Sequence, residues 1–287
     1  MPPNLGAILT AMVTPFRSDG RIDEEAAVTL MHHLVAHGSD GLVICGTTGE
    51  AATLDDDEHL GMIELAVQEL RGRATIVAGV GSNDTRHAVK LTERATELGP
   101  DALLSVNPYY NRPSRQGIIA HYREVVAATE LPILLYNIPQ RTGADLPNDL
   151  IAELGQLDHI CGVKQANPAN LARIDGMQIY AGNDDLLADV LDLGEPGGVL
   201  TGSHLFGSEM RRMVEEPERR HEIDAGLQDV YRDLTIAPLA CTLKAALRMV
   251  GIEVGGPRLP YVELDESELA TIRGLLERHH MLATAAG

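Results

Sequence analysis

The sequence predicts an α/β protein, a (β/α)8 TIM barrel with a C-terminal helical extension. Short apolar runs recur eight times over roughly the first 200 residues. Amphipathic stretches of helical period separate them. After residue 203 the apolar runs stop and the pattern turns wholly helical. An open, doubly wound sheet is the alternative, and the lack of a GxGxxG after the first run lowers it.

The eight runs lie at 6–14, 41–45, 74–80, 101–106, 132–137, 159–164, 177–182 and 197–202. Their apolarity is continuous rather than alternating, as in parallel strands covered on both faces. The first helix, 23–37, carries Ala26, Ala27, Leu30, Leu34 and Val35 on one face. The second, 55–70, carries Leu60, Ile63, Leu65, Val67 and Leu70 behind an acidic first turn that suits the helix dipole. Similar patterns predict helices at 84–98, 115–129, 147–154, 168–174 and 184–193, then 207–216, 218–234, 238–250 and 266–282. The expected division is a catalytic barrel over 1–225 and a helical region over 226–287.

Composition bounds the function. The chain has 287 residues, 44% hydrophobic, which is ample for one large core. A formal charge of −19 argues against nucleic acid or an anionic membrane as partner, and an acidic substrate needs a local cation or backbone donors. No apolar run approaches the ~20 residues of a membrane span. The opening "MPPNLGAILTAMVTPF" lacks the charged start and long apolar core of a signal peptide. Cys45, Cys161 and Cys241 are odd in number and scattered, which predicts reduced thiols and a cytoplasmic location. His33 and His37 have metal-ligand spacing, but no HExxH or added carboxylate motif supports them, so neither metal nor cofactor is expected.

In a (β/α)8 barrel the chemistry sits at the C-terminal ends of the strands. The unusual residues cluster there: "GTTGE" (46–50), "NPYYNRP" (107–113), "YNIPQRTG" (136–143), Lys164 and "GNDD" (182–185). Three of the 23 Lys and Arg residues are Lys, namely Lys90, Lys164 and Lys244. A chain that otherwise uses Arg places Lys164 at the end of an apolar strand. A desolvated amine there can attack a carbonyl, which guanidinium cannot, although a strand-end Lys can also simply snorkel to solvent. Thr47 and Thr48 sit between two glycines in a turn that can hold a small anion, or merely cap a helix. Tyr136 can relay a proton or pack in the core. Arg141 can grip a carboxylate bidentately or pair on the surface. Tyr109 and Tyr110, in a proline-bounded loop, mark an interface, a lid or ordinary packing.

In this order and spacing the motifs, together with "GVKQAN" (162–167) and "PRLP" (257–260), resemble the dihydrodipicolinate synthase and N-acetylneuraminate lyase superfamily from about residue 6 to the C-terminus. The resemblance implies a Schiff-base lysine at Lys164. It implies a proton relay of Tyr136, Thr47 and Tyr110, the last offered to a neighbouring subunit. Pyruvate's carboxylate would lie on Thr48 and Thr47, with Gly182 and Leu200 lining its pocket. Arg141 and the Thr pair are most like the synthase branch, which condenses pyruvate with aspartate semialdehyde in lysine and diaminopimelate biosynthesis. Arg141 would then hold the acidic aldehyde. A sibling pyruvate-dependent aldolase or dehydratase is the second reading, and a non-catalytic keto-acid-binding protein the third. The implied partners are small molecules and further copies of the chain, as a dimer or tetramer. Gln165 stands where Glu often follows the lysine. "LACTLK" (239–244) replaces a usual Asn-Pro-x-Pro-Val-Lys, with Lys244 in agreement. In lysine-inhibited relatives a regulatory pocket falls at the positions of Ala51, Asp56, His59, Asn83, His87 and Tyr109. His is usual at 56 and Glu at 87, so Asp56 and His87 depart from the inhibited pattern.

Overall fold

The computed structural model describes residues 3–282. Eight strands, all parallel, close into a barrel in sequence order: β1 Ile8–Ala11, β2 Gly41–Ile44, β3 Thr75–Gly79, β4 Ala102–Val106, β5 Ile133–Asn137, β6 Ile160–Gln165, β7 Gln178–Ala181 and β8 Gly197–Leu200. Each lies within one residue of a predicted apolar run, because strands covered on both faces must be apolar throughout. Alternate side chains, such as Leu9, Val77 and Leu134, fill the barrel interior. The other set packs outward against the helices.

Helices α1 Glu24–Ala36, α2 Asp56–Leu70, α3 Thr85–Leu98 and α4 Arg115–Val126 return the chain after the first four strands. Their starts are encoded locally. Asp23, Asp84 and Ser114 each accept a backbone N–H as N-cap, and Asp55 forms a full capping box with Glu58. After β5 come the one-turn α5 Pro139–Thr142 and α6 Asn148–Leu154. After β7 comes α7 Leu187–Asp192, and after β8 the longer α8 Ser203–Glu215.

The expected helix at 168–174 does not form. A single 3-10 turn, Pro168–Asn170, stands there, with Asn167 accepting the Ala169 N–H. Pro168 removes one donor, and the short link from β6 to β7 is held by side-chain bonds to Asp145 instead. The expected 218–234 helix is split into α9 Arg220–Ala225 and α10 Gln228–Asp233. At the joint, Gly226 and Leu227 bond three residues back, and Leu227 leaves the helical region. The last helices are α11 Leu239–Met249 and α12 Glu266–Arg278. Leu243, Leu247 and Leu275 from these two belong to the same core as Leu30 and Leu34 of α1. Among the described residues no helix is long and apolar enough to cross a membrane.

One irregularity positions the site. Between Ile133 and Leu134 the register with β6 skips a residue, so that Ile133 faces Ile160 but Leu134 faces Gly162. The extra residue, Cys161, is a bulge that shifts the alternation of β6 by one. Lys164 thereby comes level with Tyr136 on one side and Tyr180 on the other, on the interior face.

Candidate active site

A cavity of about 620 Å³ opens at the C-terminal ends of the strands, and its wall includes Thr47, Thr48, Tyr136, Arg141 and Lys164. Five of the eight residues singled out in the sequence therefore meet in one space. They come from the β2 turn, β5, α5 and β6, as expected where the ends of successive barrel strands converge.

Lys164 is 5% exposed, and its Nζ lies 4.3 Å from the centre of the Tyr136 ring. It makes no hydrogen bond or ion pair with any described residue. Burial pulls its pKa from 10.5 down to about 7; the Asp184 carboxylate opposes that fall and the Arg141 guanidinium adds to it. Such an amine is free of its proton in useful amount near neutrality. Burial drives the Tyr136 phenol the other way, to about 12, offset by Arg141 and the Thr47 hydroxyl. Tyr136 therefore stays protonated, a donor rather than a phenolate.

The β2 turn is braced at both ends. Cys45 and Glu50, neither of them glycine, take left-handed φ values of 56°. The Thr14 hydroxyl donates to the Gly49 carbonyl at 2.6 Å. The backbone N–H groups of Thr47 and Thr48 find no acceptor among the described residues, although both residues line the cavity. Two adjacent free amides in a turn make a seat for a carboxylate. Arg141 sits in α5, between Pro139 at the helix start and left-handed Gly143 at its end. It is exposed toward the cavity and has no carboxylate partner among the described residues. The surface salt bridge that the sequence left open is not formed.

The other three residues lie elsewhere. Tyr110 is 88% exposed at a left-handed φ of 70° and is not in the cavity wall. Gly182 and Leu200 are not in the wall either. Gly182 donates its N–H to the Gln165 carbonyl at 2.8 Å, and a Cβ there would sit 2.6 Å from the Ala166 nitrogen. Only glycine lets β7 approach the end of the lysine strand so closely. Leu200 is fully buried at the end of β8.

Several supporting residues were not foreseen as a group. Asp184 accepts from the Thr201 N–H and hydroxyl and from the Gly202 N–H, each at 2.8 Å, which fixes the exit of β8. Asn137 and Gln165, directly after Tyr136 and Lys164, bond each other at 3.0 Å and tie the two strand ends. Glu50 is held by Lys244, 2.6 Å away. All lie in motifs singled out in the sequence, but nothing along the chain gave them these bracing roles. The far end of the cavity wall includes Asp56, His59, His87 and Tyr109. There Asp56 accepts from His87 at 2.9 Å and Lys90 at 3.1 Å, with Arg94 at 3.8 Å. The hydrogen bonds from His87 and Lys90 hold the Asp56 carboxyl below its usual range. His33 and His37 stack, with ring centres 4.0 Å apart, and His37 Nδ1 lies 2.7 Å from the His33 carbonyl oxygen.

The profile of the dihydrodipicolinate synthetase family matches residues 4–279. A 4-hydroxy-tetrahydrodipicolinate synthase of Synechococcus sp. is 39% identical, over 99% of this chain and 97% of its own length. Among solved structures, the Bacillus anthracis dihydrodipicolinate synthase DapA-2 superposes with a TM-score of 0.92 at 34% identity, covering 96% of this chain and 98% of its own. The Cyanidioschyzon merolae enzyme, solved with lysine bound, superposes at 0.93 and 35% identity, over 97% and 99% of the two chains. The barrel is thus matched along nearly its whole length, and the chain belongs to the dihydrodipicolinate synthetase family.

Proposed function

We propose that this protein is a Schiff-base lyase that condenses pyruvate with L-aspartate 4-semialdehyde to 4-hydroxy-tetrahydrodipicolinate. The activity is that of the relatives named above. The observation that carries it to this chain is Lys164, a buried amine of lowered pKa beside a protonated tyrosine. Pyruvate's carboxylate rests on the free amides of Thr47 and Thr48. The Lys164 amine adds to the keto carbon, and loss of water leaves a protonated imine. The imine withdraws electrons, so the methyl group sheds a proton and becomes an enamine carbon nucleophile. That carbon attacks the aldehyde, whose oxygen takes a proton through Tyr136 and Thr47. The aldehyde's own amino group then displaces Lys164 from the imine carbon and closes the ring. One water is released for each pair of substrates, and Arg141, which has no carboxylate partner among the described residues, receives the semialdehyde's carboxylate.

We further infer a cytoplasmic homo-oligomer with the barrel over 1–225 as catalytic unit. Tyr110, exposed and outside its own cavity, is then free to complete the relay of a neighbouring copy, while Gly182 and Leu200 shape the pyruvate pocket from beneath its wall. The test is a coupled assay of pyruvate with aspartate semialdehyde against a panel of neutral and acidic aldehydes. Turnover is expected with the semialdehyde above the others, and preference for a sugar-derived aldehyde would assign the chain to a sibling lyase.

A further inference from the structure

The carboxylate-binding turn is held from the far end of the chain. Glu50 ends the Gly46–Glu50 turn in a left-handed conformation that an L-residue keeps only when its surroundings impose it. Its side chain is fully buried and bonded on both oxygens. Oε1 accepts from Lys244 Nζ at 2.6 Å, and Oε2 from the Arg258 N–H at 2.9 Å. Lys244, on α11 and 194 positions away, is likewise 0% exposed. Its Nζ also donates to the Gly256 carbonyl at 3.0 Å and lies 4.1 Å from the centre of the Phe16 ring. Lys244 borders no part of the cavity, so it cannot touch substrate there.

We propose that Lys244 is a positioning residue: through Glu50 it fixes the turn whose Thr47 and Thr48 amides receive the keto acid's carboxylate. Burying two charges is unfavourable for stability alone, and a pair of apolar residues would often serve as well. A conformation-specifying pair has a different use, since it selects one geometry of the turn. Removal of Lys244 leaves Glu50 buried without its cation. The turn relaxes to solvate it, and the two amides lose their common aim.

The inference rests on the keto-acid reading, and its test separates the two. Lys164 is trapped by cyanoborohydride with pyruvate and, in parallel, with acetone, in which a methyl group replaces the carboxylate. The adduct is quantified by peptide mapping. In Lys244→Met, trapping by subsaturating pyruvate is expected to fall about tenfold or more, the loss of one charge-assisted contact. Acetone trapping stays within about twofold, and in turnover KM for pyruvate rises while kcat changes little. Should Lys244→Met fail to fold, the isosteric Glu50→Gln reads the same ratio, with a smaller loss confined to pyruvate. Parallel loss with both ketones, or unchanged pyruvate trapping in a folded variant, overturns the positioning role. Absence of any Lys164 adduct in the unmodified protein overturns the keto-acid reading instead.

Discussion

The pH dependence of imine formation follows from the burial of Lys164. An amine with a pKa of about 7 is half unprotonated at pH 7, whereas at the ordinary 10.5 only about 3 in 10,000 molecules would be. The lowered pKa therefore raises the reactive fraction by about three orders of magnitude at neutrality. Desolvation is the largest cause, with Asp184 opposing it and Arg141 adding to it. Arg141→Ala removes a positive charge that disfavours the ammonium form, so the midpoint should move up. Arg141 is exposed and partly screened, so a shift of a few tenths of a unit to about one is expected, shrinking in high salt. The assay is the initial rate of cyanoborohydride trapping of pyruvate between pH 5 and 9. The unmodified protein should rise through a midpoint near 7 to a plateau, and Lys164→Arg should give no adduct on residue 164. A rate still climbing steeply at pH 9 would refute the desolvated amine. A downward shift in Arg141→Ala would refute the electrostatic assignment.

Arg141→Ala should also lower kcat/KM for the semialdehyde by about two orders of magnitude, the scale of a charged hydrogen bond to substrate, while pyruvate trapping at pH 8.5 survives. Near-normal turnover in a coupled assay would remove Arg141 from substrate binding. L-Lysine at millimolar concentration should inhibit weakly or not at all, because Asp56 is already engaged by His87 and Lys90 and no free acid faces an incoming ammonium from that pair. Installing the inhibited pattern, Asp56→His with His87→Glu, should increase sensitivity at least tenfold in a lysine titration at saturating pyruvate. Submillimolar inhibition of the unmodified protein would sink the idea.

Much of this molecule was legible along the chain because the relevant physics is local. A strand buried on both faces must be apolar residue after residue, so runs such as 132–137 and 197–202 declared β5 and β8. The predicted helices at 23–37 and 55–70 begin at Asp23 and Asp55, which cap them in the structure, an interaction that acts within four residues. Lys164 stood out because a chain that prefers arginine kept an amine at a strand end. The same local signals overreached at 168–174, where Pro168 and contacts to Asp145 replaced a helix, and at Gly226, where one predicted helix became two. What the tertiary structure decided depends on groups distant in sequence. The bulge at Cys161 sets the side of β6 on which Lys164 falls, and it exists only in the ladder with β5. The lowered pKa of Lys164 comes from desolvation by several strands at once. Glu50 closes the turn that carries Thr47 and Thr48, and its buried partner Lys244 lies 194 positions away. Ion pairs and burial follow distance in space, which periodicity along a chain does not encode.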